Sequence, residues 1–234
     1  MDVQKLKELE QMIGYTYRDI TMLRQALSHS SYANEHRAEG LQDNERLEFL
    51  GDAVLELVSS DVLYREYPDL PEGKLSRLRA SIVCEPTLAL CARQFGLPEY
   101  LLLGKGEEHT SGRSRNSIVS DALEALIGSI YLDGSFEAAS VFVCRFIMTD
   151  IEHKKLFYDS KTILQEVVQR DFKDIEAQYI ITGEEGPDHD KHFTIQVSVR
   201  GEVLGTGTGS NKKAAEQEAA YHALIELKSR GVSV

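Results

Sequence analysis

The feature that most constrains this chain is a change of hydrophobic period near residue 159. Before it, apolar residues recur at helical spacing, as in Leu6, Leu9 and Ile13 and again in Met22, Leu23, Ala26 and Leu27. After it, Phe193-Thr194-Ile195-Gln196-Val197-Ser198-Val199 alternates with period two, the mark of a half-buried strand. The two patterns call for different cores. The chain therefore reads as multidomain: an all-α domain over residues 1–150, a short join near residues 152–158, and a small α+β domain over residues 159–230.

Local signals divide these regions further. A long helix is expected from Asn44, a good N-cap residue, through Leu47, Leu50, Val54, Leu57 and Val58, with Pro68 ending it. A helix over Leu75 to Val83 precedes one with Pro86 in its first turn, closed by Gly96 and Pro98. Gly104 to Asn116 reads as a polar, Gly-rich loop. The apolar stretch from Ile118 to Tyr131 reads as a buried helix, broken at Asp133-Gly134, with Ser135 capping the next. The second domain reads α-β-β-β-α. A helix from Lys161 to Arg170 leads to strands at Tyr179–Ile181, Phe193–Val199 and Glu202–Thr206. Gly205, Gly207 and Gly209 then lead into a helix from Asn211 to Lys228.

Charge sets a condition on partners. The net charge is −12, and both parts are acidic: 17 Lys+Arg against 25 Asp+Glu before Asp159, and 9 against 13 from there on. A nucleic-acid partner must then be held by local basic clusters, while an acidic excess suits divalent cations. No apolar run is long enough to span a bilayer, and the start, MDVQKLKELEQM, lacks the apolar core of a signal peptide. Cys84, Cys91 and Cys144 are expected to be reduced core thiols of a cytoplasmic protein.

Two segments concentrate carboxylates. In Asn44-Glu45-Arg46-Leu47-Glu48-Phe49-Leu50-Gly51-Asp52-Ala53-Val54-Leu55, Glu48 and Asp52 are four apart and share a helix face, where like charges repel. In Asp121-Ala122-Leu123-Glu124-Ala125-Leu126-Ile127-Gly128, Asp121 and Glu124 are three apart in an apolar helix. Brought together, four carboxylates make a hard oxygen site for Mg²⁺. Spacing alone leaves a plainer account open, because Glu45, Glu48, Asp52 and Glu56 also form the stripe of a solvated helix face.

These segments resemble the ribonuclease III family. Its signature is similar to NERLEFLGDAVL at Asn44 to Leu55, and the surroundings match in order: Ala26 to Tyr32, Glu72 to Ala80, and Asp121 to Gly128. The resemblance implies an all-helical nuclease domain that forms a homodimer and cuts double-stranded RNA with Mg²⁺, Mn²⁺ being the alternative ion. It implies that Glu48, Asp52, Asp121 and Glu124 are the metal ligands. It also implies that Glu45 and Glu72 join Asp52 and Glu124 in the catalytic set, lining the valley and contacting substrate or water. Phe49 is implied to pack across the dimer interface, though periodicity alone equally allows ordinary core. His29 occupies a family position for which a structural hydrogen bond is the expected role. Arg113, Arg115 and Asn116, just before the second acidic helix, could hold phosphates or simply make a soluble loop.

Duplex RNA offers a shallow minor groove with 2′-hydroxyls and phosphates across a narrow major groove. Thr162, Gln165 and Glu166 share a helix face suited to one minor groove. His189, in the turn Gly186-Pro187-Asp188-His189, could enter a second, and Ser210, Asn211, Lys212 and Lys213 open a helix whose N-terminus suits phosphate. Taken singly, the lysines read as surface charge. The series from Ser160 to Leu227, including Lys161-Thr162-Ile163-Leu164-Gln165-Glu166 and Gly205-Thr206-Gly207, resembles the double-stranded RNA-binding domain. Asp188 and Asp190 beside His189 depart from a basic surface and imply weak phosphate affinity for a single copy. The readings in play are thus an endoribonuclease, a non-catalytic duplex-binding regulator, and a phosphohydrolase of small nucleotides. The last leaves the second domain without a purpose. Processing of ribosomal RNA precursors and other structured transcripts follows by kinship.

Overall fold

The computed structural model describes residues 3–172, 175–185, 191–209 and 211–234. His189 with its turn, and Ser210, therefore lie outside the described residues. The chain divides into two compact units, Met1–Ile151 and Glu152–Val234.

The first unit is helical throughout: α1 (Val3–Ile13), α2 (Ile20–Ala26), α3 (Ser30–Glu35), α4 (Glu45–Glu66), α5 (Glu72–Val83), α6 (Glu85–Gln94), α7 (Lys105–His109), α8 (Asn116–Asp133) and α9 (Phe136–Phe146), with 3₁₀ turns between some of them. At its centre lies α8, whose Leu123, Leu126, Ile127 and Ile130 are fully enclosed. Burying each such side chain stabilises by roughly 1.5–3 kcal/mol. Asp133 at its end fixes the α1–α2 turn. It accepts the backbone N–H groups of Arg18 (2.9 Å) and Asp19 (2.8 Å) and the Tyr15 hydroxyl (2.8 Å).

The crossing of α4 over α8 places the site. A Cβ on Gly51 would stand 1.7 Å from the Glu124 carbonyl oxygen, and one on Gly128 2.2 Å from that of Leu47. Backbone thus meets backbone at both points. Leu47 packs beside the crossing with Ala26 and Ala125.

Several local expectations are corrected. Asn44 precedes α4 but does not cap it with its side chain. The residue is buried, and its amide donates instead to the Ala26 carbonyl (3.3 Å). The polar stretch 104–116 is not all loop, since α7 and a 3₁₀ turn (Gly112–Ser114) form within it. Cys144 is exposed rather than core. On amphipathic α9 the buried side is Ala139, Phe142 and Val143, and Cys144 lies off that face.

The second unit contains α10 (Ile151–Tyr158) but for its first residue, α11 (Ser160–Asp171), β1 (Gln178–Glu185), β2 (His192–Val199), β3 (Glu202–Gly209) and α12 (Lys212–Ser229). The expected join is helical: α10 packs by Phe157, edge-on to Tyr221 of α12 with ring centroids 5.2 Å apart. The strands form an antiparallel sheet in the order β1-β2-β3, with Tyr179 opposite Val197 and Val197 opposite Gly205. The glycines expected to lead into the last helix lie within β3 instead. A Cβ at Gly205 or Gly207 would fall 2.2 Å from the backbone of Ala219, so bare glycine lets β3 lie directly on the alanine face of α12.

Candidate active site

The helix spacing brings the two acidic segments together. One carboxylate oxygen each from Glu48 on α4 and from Asp121 and Glu124 on α8 lie within 4.8 Å of one another, and all three side chains are half-buried. The α8 pair enters from an otherwise apolar helix. Buried residues flank both members, and Asp121 also accepts the Ser120 hydroxyl (3.4 Å). Like charge concentrated in a partly dry place disfavours ionisation. Burial, then the charges of Asp52, Asp121, Glu48 and Glu56, push Glu124 up to about 8. Glu48 is raised by burial and by Asp121, Glu45 and Asp52. Asp121 is raised by burial and by Glu85, against relief from a Ser120 hydrogen bond and from His29.

Asp52, the fourth expected ligand, is exposed and outside that trio. It sits one helical turn, about 6 Å, beyond Glu48. From there it acts most strongly of all charges on Glu124. Glu45 is exposed at the first residue of α4, and its charge reaches Glu48 and His29. Glu72 is exposed at the start of α5, where it accepts the Ser76 hydroxyl (2.8 Å). Glu85, at the start of α6, was not foreseen. Only the tertiary packing of α6 against α8 brings its charge to Asp121, and nothing in its local sequence marks it.

His29 caps α3. Its Nδ1 accepts the Ser31 N–H (3.3 Å) and pairs with the Ser31 hydroxyl (2.8 Å). Burial and the Arg115 guanidinium hold its pKa below the usual histidine value, against Asp121, Glu45 and Asp43. Of the expected phosphate ligands, Arg113 is occupied by Glu108 (3.0 Å) and by the Pro98 carbonyl (2.7 Å). Arg115 is paired with Glu107 yet stands near enough to the site to influence His29. Asn116 is the first residue of α8. Phe49 is not core: it is 80% exposed on α4.

In the second unit, Thr162, Gln165 and Glu166 lie together on the exposed side of α11. Asn211 caps α12 by accepting the Ala214 N–H (2.9 Å). Lys212 and Lys213 project from the first turn, the former with its ammonium 5.7 Å from the Phe193 ring centroid.

Comparison with known proteins follows the same division. Residues 19–151 match the Ribonuclease-III-like family and residues 160–227 the double-stranded RNA binding motif. Ribonuclease 3 of Listeria monocytogenes is 48% identical over 226 residues, which is 96% of this chain and 98% of that protein. The chain belongs to the ribonuclease III family. Ribonuclease 3 of Pelotomaculum thermopropionicum is 49% identical over 95% of this chain and 93% of its own length. The nuclease domain of ribonuclease III from Campylobacter jejuni superposes with a TM-score of 0.58 at 40% identity, covering 62% of this chain and 97% of that one. As a ribonuclease III family enzyme, the chain has the expected fold class: a helical nuclease followed by an α-β-β-β-α RNA-binding fold. Among the described residues no helix is long and apolar enough to cross a membrane.

Proposed function

We propose that this enzyme is a magnesium-dependent endoribonuclease that hydrolyses both strands of duplex RNA, with residues 1–150 as nuclease and 159–230 as RNA-binding domain. The observation that carries the reading is the convergence of Glu48, Asp121 and Glu124 from two helices within 4.8 Å. Carboxylates pressed together, with Glu124 raised by burial and by its neighbours, form a donor set that a small divalent cation fits. Glu48, Asp121 and Glu124 would hold Mg²⁺, with Mn²⁺ as the alternative, and Asp52 would complete the set from its exposed position. Bound there, the ion supplies positive charge beside the scissile phosphate and acidifies nearby water.

The chain's own groups supply the rest. Glu124 holds a proton near neutral pH, which it would release to solvent in order to hold the cation. Asp52 and Glu45, on the exposed side of α4, orient the attacking water and take up its proton. Glu72 lines the valley from α5. Thr162, Gln165 and Glu166 address one minor groove and His189 the next. Lys212, Lys213 and Asn211, with Ser210, meet phosphate at the start of α12. Arg113, Arg115 and Asn116 steady the strand beside the nuclease site once RNA competes with Glu107 and Glu108 for the guanidinium groups.

A homodimer is supported by α4 itself. Phe49 (80%), Leu57 (58%) and Tyr64 (75%) are exposed on this one helix, at spacings that form an apolar stripe beside the acidic one. The Campylobacter nuclease domain is described as having a region involved in dimer formation. Attack of water on phosphorus with cleavage of the P–O3′ bond, the 3′-oxygen leaving and taking a proton, would give 5′-phosphate and 3′-hydroxyl ends. Two staggered sites would leave a short 3′ overhang, and kinship suggests cytoplasmic processing of ribosomal RNA precursors and other structured transcripts.

The test is Glu124→Gln. It should abolish Mg²⁺-dependent cleavage of a defined RNA duplex while leaving the mobility shift of that duplex in place. Undiminished cutting by the variant refutes the assignment. A parent protein that shifts the duplex with Mg²⁺ but never cuts it favours the duplex-binding regulator.

A further inference from the structure

The sequence marks the carboxylates of the two acidic helices but is silent on what fixes the distance between them. We infer that Gly51 and Gly128 are positioning residues that set the bite of the metal site and so its preference for a small cation. The inference rests on the metal-site reading above.

The contacts are reciprocal. A Cβ at Gly51 would meet the Glu124 carbonyl oxygen at 1.7 Å and the Gly128 nitrogen at 2.9 Å. One at Gly128 would meet the Leu47 carbonyl oxygen at 2.2 Å and the Gly51 nitrogen at 3.0 Å. Each glycine thus touches backbone in the helical turn that carries a ligand: Gly51 lies against Glu124 itself, and Gly128 against Leu47, next to Glu48. Neither obstacle is a flexible side chain that could turn away. Ordinary contact begins at 3.4 Å, so alanine at either position drives α4 and α8 apart by more than 1 Å.

That displacement is large on the scale of the site. Oxygens on opposite sides of Mg²⁺ stand about 4.2 Å apart, and those around Ca²⁺ about 4.6–5.2 Å. The three ligand oxygens lie within 4.8 Å of one another, and further separation removes the geometry Mg²⁺ demands before it removes that tolerated by Ca²⁺.

The experiment is calorimetric titration of Mg²⁺ and of Ca²⁺ into the full chain without RNA, for the parent, Gly51→Ala and Gly128→Ala. Ala125→Val wedges the same crossing through a side chain and serves where a glycine variant does not fold. Leu97→Ala, fully buried in the same unit but not among the residues at the crossing, controls for general softening. Mg²⁺ affinity should fall at least tenfold in the crossing variants and Ca²⁺ affinity less than threefold, with the ratio unchanged in Leu97→Ala. A ratio unchanged in every folded crossing variant overturns the inference, as does the same change in Leu97→Ala. If the parent binds no Mg²⁺, or binds it as well after Glu124→Gln, the metal-site reading has failed instead.

Discussion

Glu124→Gln should make the metal-free nuclease unit more stable at alkaline pH, although it removes a residue placed at the centre of catalysis. The folded protein raises this carboxyl from its ordinary 4.5 to about 8, by burial and by four neighbouring carboxylates. Between those values the folded state holds a proton that the unfolded chain has lost. The contribution of this carboxyl to stability is therefore greatest below pH 4.5 and declines as pH rises towards 8. Each pH unit of difference corresponds to about 1.4 kcal/mol. Solvent screening of a partly exposed group reduces the whole to roughly 2–3 kcal/mol. Glutamine is neutral throughout and escapes this cost. Scanning calorimetry in a chelator from pH 5 to 8.5 should show parent and variant close at pH 5. The variant should unfold several degrees higher at pH 8.5, in the transition of the first unit. Saturating Mg²⁺ should reverse the order by stabilising only the parent. A variant less stable than the parent at pH 8.5 without metal would refute the electrostatic argument, because it would show Glu124 to be satisfied without a cation.

Three further outcomes follow. Because Glu124 is protonated near neutrality, Mg²⁺ binding at pH 7 should release about one proton, and apparent affinity should rise towards tenfold per pH unit between pH 6 and 8. Calorimetry in buffers of different ionisation enthalpy measures both, and proton-independent binding is the adverse result. Phe49→Asp should weaken self-association at least a hundredfold, since each dimer loses two buried rings worth roughly 1.5–3 kcal/mol apiece. Sedimentation equilibrium reads this directly, and an undisturbed dimer would place the interface elsewhere. Replacing Lys212 and Lys213 together by alanine should lower duplex affinity and reduce the slope of log affinity against log salt by about 2. An unaltered slope would mean that neither ammonium meets a phosphate.

The sequence by itself determined the principal helices and strands and the residue types of the site, but not α7 or α10, which lie in stretches that read as loop and join. Helical and two-residue periods report which face of each segment is apolar, and burial against any partner satisfies them. Leu6, Leu9 and Ile13 are accordingly core in the structure, as are Ile195, Val197 and Val199. The paired carboxylates were legible for the same reason, since a spacing of three or four along one helix fixes a shared face. Tertiary structure alone decided which carboxylates meet. Glu48 of α4 meets Asp121 and Glu124 of α8, with Asp52 exposed yet the strongest neighbouring charge on Glu124, where the two helices cross in close backbone contact at Gly51 and Gly128. Glu85 reaches the site through contacts between segments distant in sequence, whereas Arg113 and Arg115 are held by Glu108 and Glu107 only a few residues away, and Phe49 stays uncovered. Periodicity is a property of one segment, whereas a charge cluster is a property of two or more in space.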